Sequence, residues 1–89
     1  MTLLNIFPRE TVEFQPVPIT VGGVAVTTGV TYSVVAEGTR PTVFVAPTTL
    51  GDEIGVMVAG FAPGYWRVFA KIASSPETPV VDAGYFQIT

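Results

Sequence analysis

Along most of this chain apolar and polar residues alternate with a period of two, the spacing of a strand with one buried face. Val12 and Phe14 alternate with Glu13 and Gln15, after which Pro16 and Pro18 interrupt the run, a pattern that suits an edge strand. The stretch VPITVGGVAV sets two β-rich runs about Gly22-Gly23, the signature of a two-residue hairpin. GVTYSVVAEG forms a third run, and TVFVA lies between Pro41 and Pro47. EIGVMVAG follows a turn at Gly51-Asp52, GYWRVFAKIA follows Pro63-Gly64, and PVVDAGYFQIT closes the chain. No segment offers ten residues of helical periodicity. Seven or eight short strands at spacings of about 8–12 residues predict a β-sandwich or small barrel.

The last two strands sharpen that expectation. In PGYWRVFAKI, Trp66, Val68, Ala70 and Ile72 share one face, and Tyr65, Arg67, Phe69 and Lys71 share the other. In the closing strand Phe86 and Ile88 take the inner face and leave Tyr85 and Gln87 outside. The order Pro-Gly-x-aromatic-x-Val-x-Ala, a short Pro-rich loop, then Gly-x-Phe-x-Ile resembles strands F and G of immunoglobulin-like domains. Trp66 stands where those domains often carry the tyrosine of their corner motif, and the Cys…Trp…Cys signature is missing. The expected fold is therefore an all-β, immunoglobulin-like sandwich over residues 11–89, preceded by an apolar N-terminal arm over residues 1–10.

A narrower resemblance covers the last 30 residues or so. YWRVFAKIASSPETPVVDAGYFQIT is similar to the C-terminal half of small proteins encoded among the head and head–tail genes of tailed phages that infect actinobacteria. Those proteins share Tyr-x-Val-x-x-Lys/Arg, a Pro-Glu-x-Pro-Val loop, then a glycine and a closing strand. Here the matching positions are Trp66 to Lys71, Pro76 to Val80 and Ala83 to Thr89. The resemblance implies a virion structural component without catalytic activity.

The opening, MTLLNIFPRE, places five large apolar residues among the first seven, where small soluble domains normally begin polar and mobile. It lacks the basic start and sustained apolar run of a secretory signal, and Pro8-Arg9-Glu10 follows at once. No stretch reaches the roughly 18 apolar residues of a membrane-spanning helix. Synthesis in a cytoplasm is the expectation. Leu3, Leu4, Ile6 and Phe7 either complete the chain's own core or add to the sheet edge of a neighbour, and the second option is preferred. Left free in water, such side chains are an aggregation hazard.

Charge changes the picture next. Charged residues make up 12% of the 89, against about 25% in ordinary soluble domains, while 48% are hydrophobic. Biased base composition gives one explanation; a surface covered in the working state gives another, because interface cores are depleted of charge. The net charge is −3, and the four basic residues Arg9, Arg40, Arg67 and Lys71 are scattered. Direct binding of nucleic acid needs clustered cations, so it is not expected.

Candidate chemistry is sparse. Cysteine and histidine are absent, which excludes a histidine-based triad, a histidine general base and a His/Cys zinc site. Asp52 and Glu53 adjoin on a turn and point apart, and Glu10 and Glu13 fall on opposite faces of a strand. Asp82 sits beside the inner-face run, where a bulged or outward-tilted residue is the common case. Ser74 and Ser75 follow Lys71 closely but lie in a Pro-rich loop with no oxyanion-hole glycines. No catalytic, cofactor or metal site is expected, and the chain is not expected to be an enzyme.

Binding features are stronger. The outer face of the last hairpin presents Tyr65, Phe69 and Tyr85 around Arg67 and Lys71, and aromatics with arginine are the stuff of interface hot spots. The expected interface set is Leu3, Leu4, Ile6, Phe7, Tyr65, Arg67, Phe69 and Tyr85. The resulting expectation is a phage virion protein, either a head decoration or cementing subunit or a head–tail connection component. Its partners would be other virion proteins and copies of itself, with neither nucleic acid nor membrane bound directly. The alternative is a displayed adhesion module that recognises host carbohydrate or a receptor through Tyr65, Trp66 and Tyr85.

Overall fold

The structure, a computed structural model, describes residues 3–73 and 78–89. Among these residues nine strands run in the order β1 (Leu3–Phe7), β2 (Val12–Pro16), β3 (Thr20–Val21), β4 (Val24–Ala25), β5 (Val30–Ala36), β6 (Thr48–Leu50), β7 (Glu53–Ala59), β8 (Gly64–Ile72) and β9 (Val80–Ile88). They form a four-stranded sheet β1-β9-β8-β5, a three-stranded sheet β2-β7-β6 and a separate β3-β4 ribbon. Setting the ribbon aside and lettering the remaining strands A to G gives sheets A-G-F-C and B-E-D, an immunoglobulin-like sandwich.

The core lies between the two sheets and follows the period of two. Val68, Ala70 and Ile72 of β8 meet Ile54, Val56 and Val58 of β7, with Phe86 and Ile88 of β9 and Val30 and Tyr32 of β5 completing the layer. At one end four aromatic rings form a chain across the molecule. Phe7 lies 6.0 Å from Phe86, Phe86 lies 5.4 Å from Phe61, and Phe61 lies 4.8 Å from Trp66. Edge-to-face and tilted pairs of this kind add to the area that the rings bury.

The opening residues belong to this core. β1 pairs in parallel with β9, Phe7 opposite Ile88 and Ile6 opposite Gln87, and Phe7 is 3% exposed. The pairing is extended by the Thr89 amide, which donates to the Phe7 carbonyl at 2.9 Å. Residues 3–7 are thus an edge strand of the chain's own sheet and not an arm apart from it. The alternation seen from residue 11 onward has no counterpart there because a five-residue edge strand commits only Phe7, and in part Leu4, to the interior.

Two other sequence expectations shift. TVFVA, flanked by prolines, contributes one bridge, Val45 to Tyr32, in place of a strand; Pro41 and Pro47 lack the amides that would extend the pairing. β2 is an edge strand, as its prolines imply, but its faces are the reverse of what its apolar pair suggests. Gln15 and Glu13 pair with Val56 and Val58, whose side chains point inward, so Val12 and Phe14 point outward with Ala59 and Met57. Gln15 is buried and satisfied by donating to the Pro16 carbonyl at 2.8 Å. Close approach of β2 and β7 explains the glycine opposite Pro16. A Cβ on Gly55 would lie 2.0 Å from the Gln15 carbonyl oxygen.

Tyr32 ties the sheets together. Its ring is 1% exposed, and its hydroxyl donates to the Val17 carbonyl at 2.5 Å, across the sandwich. Burial pushes its pKa from 10.0 up to about 12. Tyr32→Phe, which leaves that carbonyl without its donor, is expected to lower stability by about 1 kcal/mol in urea unfolding. The raised pKa means that the unfolded chain releases this proton first as pH rises. Its stabilising effect is therefore complete below pH 10 and declines towards pH 12, by about 1.4 kcal/mol per pH unit. In the Tyr32→Phe variant that part of the alkaline decline should vanish.

Candidate protein-interaction surfaces

The outward side of β8 carries Tyr65, Arg67, Phe69 and Lys71, and that of β9 carries Tyr85, as the sequence pattern requires. The register of this pair contains one irregularity with a chemical consequence. Val68 lies opposite Gly84, but the next residue of β8, Phe69, lies opposite Asp82, so Ala83 is the extra residue of a β-bulge. Without it Asp82 would face Ala70 and aim a carboxylate at the core. With it Asp82 falls on the outer side. Gly84 supplies a φ of +125°, which side chains disfavour.

Asp82 then does two things. Its Oδ1 accepts the Gly84 amide at 3.0 Å, and its Oδ2 accepts from Arg67 Nη1 at 2.5 Å. Glu37, just past β5, completes a clamp on the same guanidinium, with both carboxylate oxygens accepting from Nη2 at 2.8 and 2.9 Å. Arg67 is raised above its ordinary pKa by the hydrogen bond to Glu37 first, against the lowering effect of burial, with Asp82 adding to the rise. The Arg67 side chain is 8% exposed, and its guanidinium also stands 5.9 Å from the centre of the Tyr85 ring.

The connection from β5 to β6, which supplies Glu37, runs on beside the same outer face. Thr39, Arg40 and Pro41 border a shared hollow with Phe69 and Val80, and Lys71 Nζ stands 4.4 Å over the Phe44 ring. Phe69 is half-buried as a result. Trp66, on the inner side, is also occupied: its ring packs on Phe61 and its Nε1 donates to the Ala62 carbonyl at 2.9 Å. An indole thus makes the backbone bond four residues upstream that the corner tyrosine makes in antibody-like domains.

The expected interface set divides accordingly. Tyr65, Leu3 and Ile6 are exposed, at 52%, 45% and 51%, and Tyr85 is half-buried beside Tyr65. Phe7 leaves the set because it is core, and Leu4 packs in part against the same core. Arg67 leaves it because its donors are engaged within the chain. Ser74 and Ser75, weighed beside Lys71 as a nucleophile pair, lie outside the described residues.

Sequence reading missed the outer face of the smaller sheet. Val12 is 69% exposed, Leu50 63% and Met57 44%, and Phe14 lies between them opposite Met57. The signal was present just past the strand. Val17 and Ile19 are core, and counting back by two from them places Gln15 and Glu13 inward, not Phe14 and Val12. The β3-β4 ribbon adds two more exposed valines, Val21 and Val24, at 53% and 68%.

Among the described residues, no group of three or more acidic side chains is placed to hold a metal ion. Comparison of the chain with protein-family profiles, with curated proteins and with solved structures gives no significant match.

The two roles of Asp82 can be separated by substitution. Asp82→Asn keeps an acceptor for the Gly84 amide and loses the charge paired with Arg67, whereas Asp82→Ala loses both. Since Asp82 is partly exposed, Asp82→Ala is expected to cost about 1 kcal/mol in urea unfolding, and Asp82→Asn clearly less.

Proposed function

We propose that this chain is a virion structural protein of a tailed phage, a head decoration or cementing subunit or a head–tail connection component, which acts through protein–protein contacts and not through catalysis. The observation that carries the reading is the distribution of exposed apolar side chains. They occupy an edge strand (Leu3, Ile6), the outer face of the smaller sheet (Val12, Leu50, Met57), a projecting ribbon (Val21, Val24) and the outer end of β8 (Tyr65). A chain with so few charges and apolar groups on several sides is suited to being enclosed by neighbours. The likeness of its last 30 residues or so to phage head and head–tail proteins supports the same reading.

The adhesion alternative is weaker because Trp66, its best stacking platform, is packed on Phe61 and bonded to Ala62. Sugar-binding aromatics need an open face, and of the three residues named for that role this leaves Tyr65 and Tyr85, 6.1 Å apart.

The test is the composition of the particle. An antibody against the chain should label purified virions of the phage that encodes it, and Tyr65→Asp or Ile6→Asp should fold but bind particles more weakly. Abundance in infected cells with absence from purified virions would overturn the proposal. Removal of residues 1–7 is a poor probe of assembly, because it takes Phe7 from the core. Phe7→Ala alone is expected to cost about 3–5 kcal/mol, measurable by urea unfolding.

A further inference from the structure

Between the free side of β7 and the segment that follows β5 lies an apolar groove of about 410 Å³, lined among others by Val34, Val43, Val45, Ala46, Met57 and Phe61. That volume is in the range of binding clefts. None of its lining residues is charged.

Among the described residues, both walls end in backbone without a partner strand. Bonding alternates along an antiparallel pair, and the two-residue turn at Gly51-Asp52 makes Leu50 and Glu53 a bonded pair, followed by Thr48 and Gly55. The Ile54 carbonyl faces the other way and accepts the Val17 amide at 3.0 Å. Met57 and Ala59 therefore point their amides and carbonyls to the β6 side, beyond the last pair that β6 makes. On the opposite wall Val45 exchanges both bonds with Tyr32, at 2.8 and 2.9 Å, which turns the backbone of Phe44 and Ala46 away from β5. An open strand edge beside an apolar cleft is a site for strand addition.

The same chain carries a complementary element. Among the described residues the β3-β4 ribbon is bonded to neither sheet, and its exposed Val21 and Val24 flank the Gly22-Gly23 turn. No charged residue occurs from Phe14 to Ala36, so the ribbon brings none to desolvate in a groove that offers none to pair with. Neither Val21 nor Val24 lines the groove of its own molecule. We infer that the β3-β4 ribbon of one copy docks in the β7 groove of the next, with a ribbon edge against Met57 and Ala59 and the two valines among Val43, Val45 and Phe61. This deepens the assembly reading above and rests on it. Ribbon and groove are different patches, so the contact is head-to-tail. Repeated, it closes a ring or extends a filament.

A mixing experiment with the full chain tests it. Sedimentation velocity of the wild type should show oligomers that grow with concentration. Val24→Asp, which spoils the ribbon, and Val45→Asp or Val43→Asp, which spoil the groove, should each be monomeric with an unchanged far-UV circular dichroism spectrum. These side chains are 58–68% exposed, so the fold does not depend on them. Mixed one to one, the ribbon variant and a groove variant should form dimers and nothing larger, because one competent ribbon and one competent groove remain. A wild type that stays monomeric, variants that still oligomerise, or a mixture that gives no dimers would each overturn the inference. In those cases antibody labelling of virions decides the functional proposal separately. Labelled virions with a monomeric protein sink only the ribbon contact, whereas self-association without labelled virions sinks only the virion role.

Discussion

Strand β8 is paired along nearly its whole length on both sides, with β5 and with β9, and each of its side chains is thereby committed to one face or the other. Val68, Ala70 and Ile72 must be core, and Arg67 must then stand outside beside Phe69. A cation held within a sheet face and shielded by neighbours needs anionic partners. The bulge at Ala83 brings Asp82 to it, and the end of β5 brings Glu37. The irregularity in β9 is thus the complement of the regularity in β8.

The same commitment fixes what the chain leaves for others. Because Arg67 is held by its own carboxylates and Trp66 by Phe61 and Ala62, the aromatic and basic face is less open than its composition suggests. The apolar surface that remains lies elsewhere: on β1, on the outer side of β2 and β7, on the small ribbon and along the groove beside β7. They belong to both sheets and to the ribbon. That arrangement fits a subunit with several neighbours better than a domain with one ligand pocket.

The stability of so small a sandwich rests on side-chain contacts between segments far apart in the chain. Tyr32 reaches from β5 to the Val17 carbonyl, and the ring chain from Phe7 to Trp66 links β1, β9 and the corner before β8. A chain of this length has a thin core, so each such link is a large share of a small margin. Hence the first strand, whose outward side chains suit it to a neighbour, cannot be given up by its own domain.

Much of the architecture followed from the sequence alone. The period of two, the Gly22-Gly23 and Gly51-Asp52 turns, and the faces of β8 and β9 are local properties, set by backbone geometry and by the cost of burying charge. They fixed the strand class, the core residues of the last hairpin and the outward placing of Tyr65 and Tyr85. What the sequence left open were matters of register and pairing. Whether Leu3 to Phe7 lies on its own sheet depends on whether the β9 edge is free, and the clamp on Arg67 depends on the bulge that turns Asp82 outward and on the end of β5 that brings Glu37. Each is a contact between residues far apart in the chain. Local propensity does not encode such contacts, because a one-residue shift of register moves every side chain to the other face.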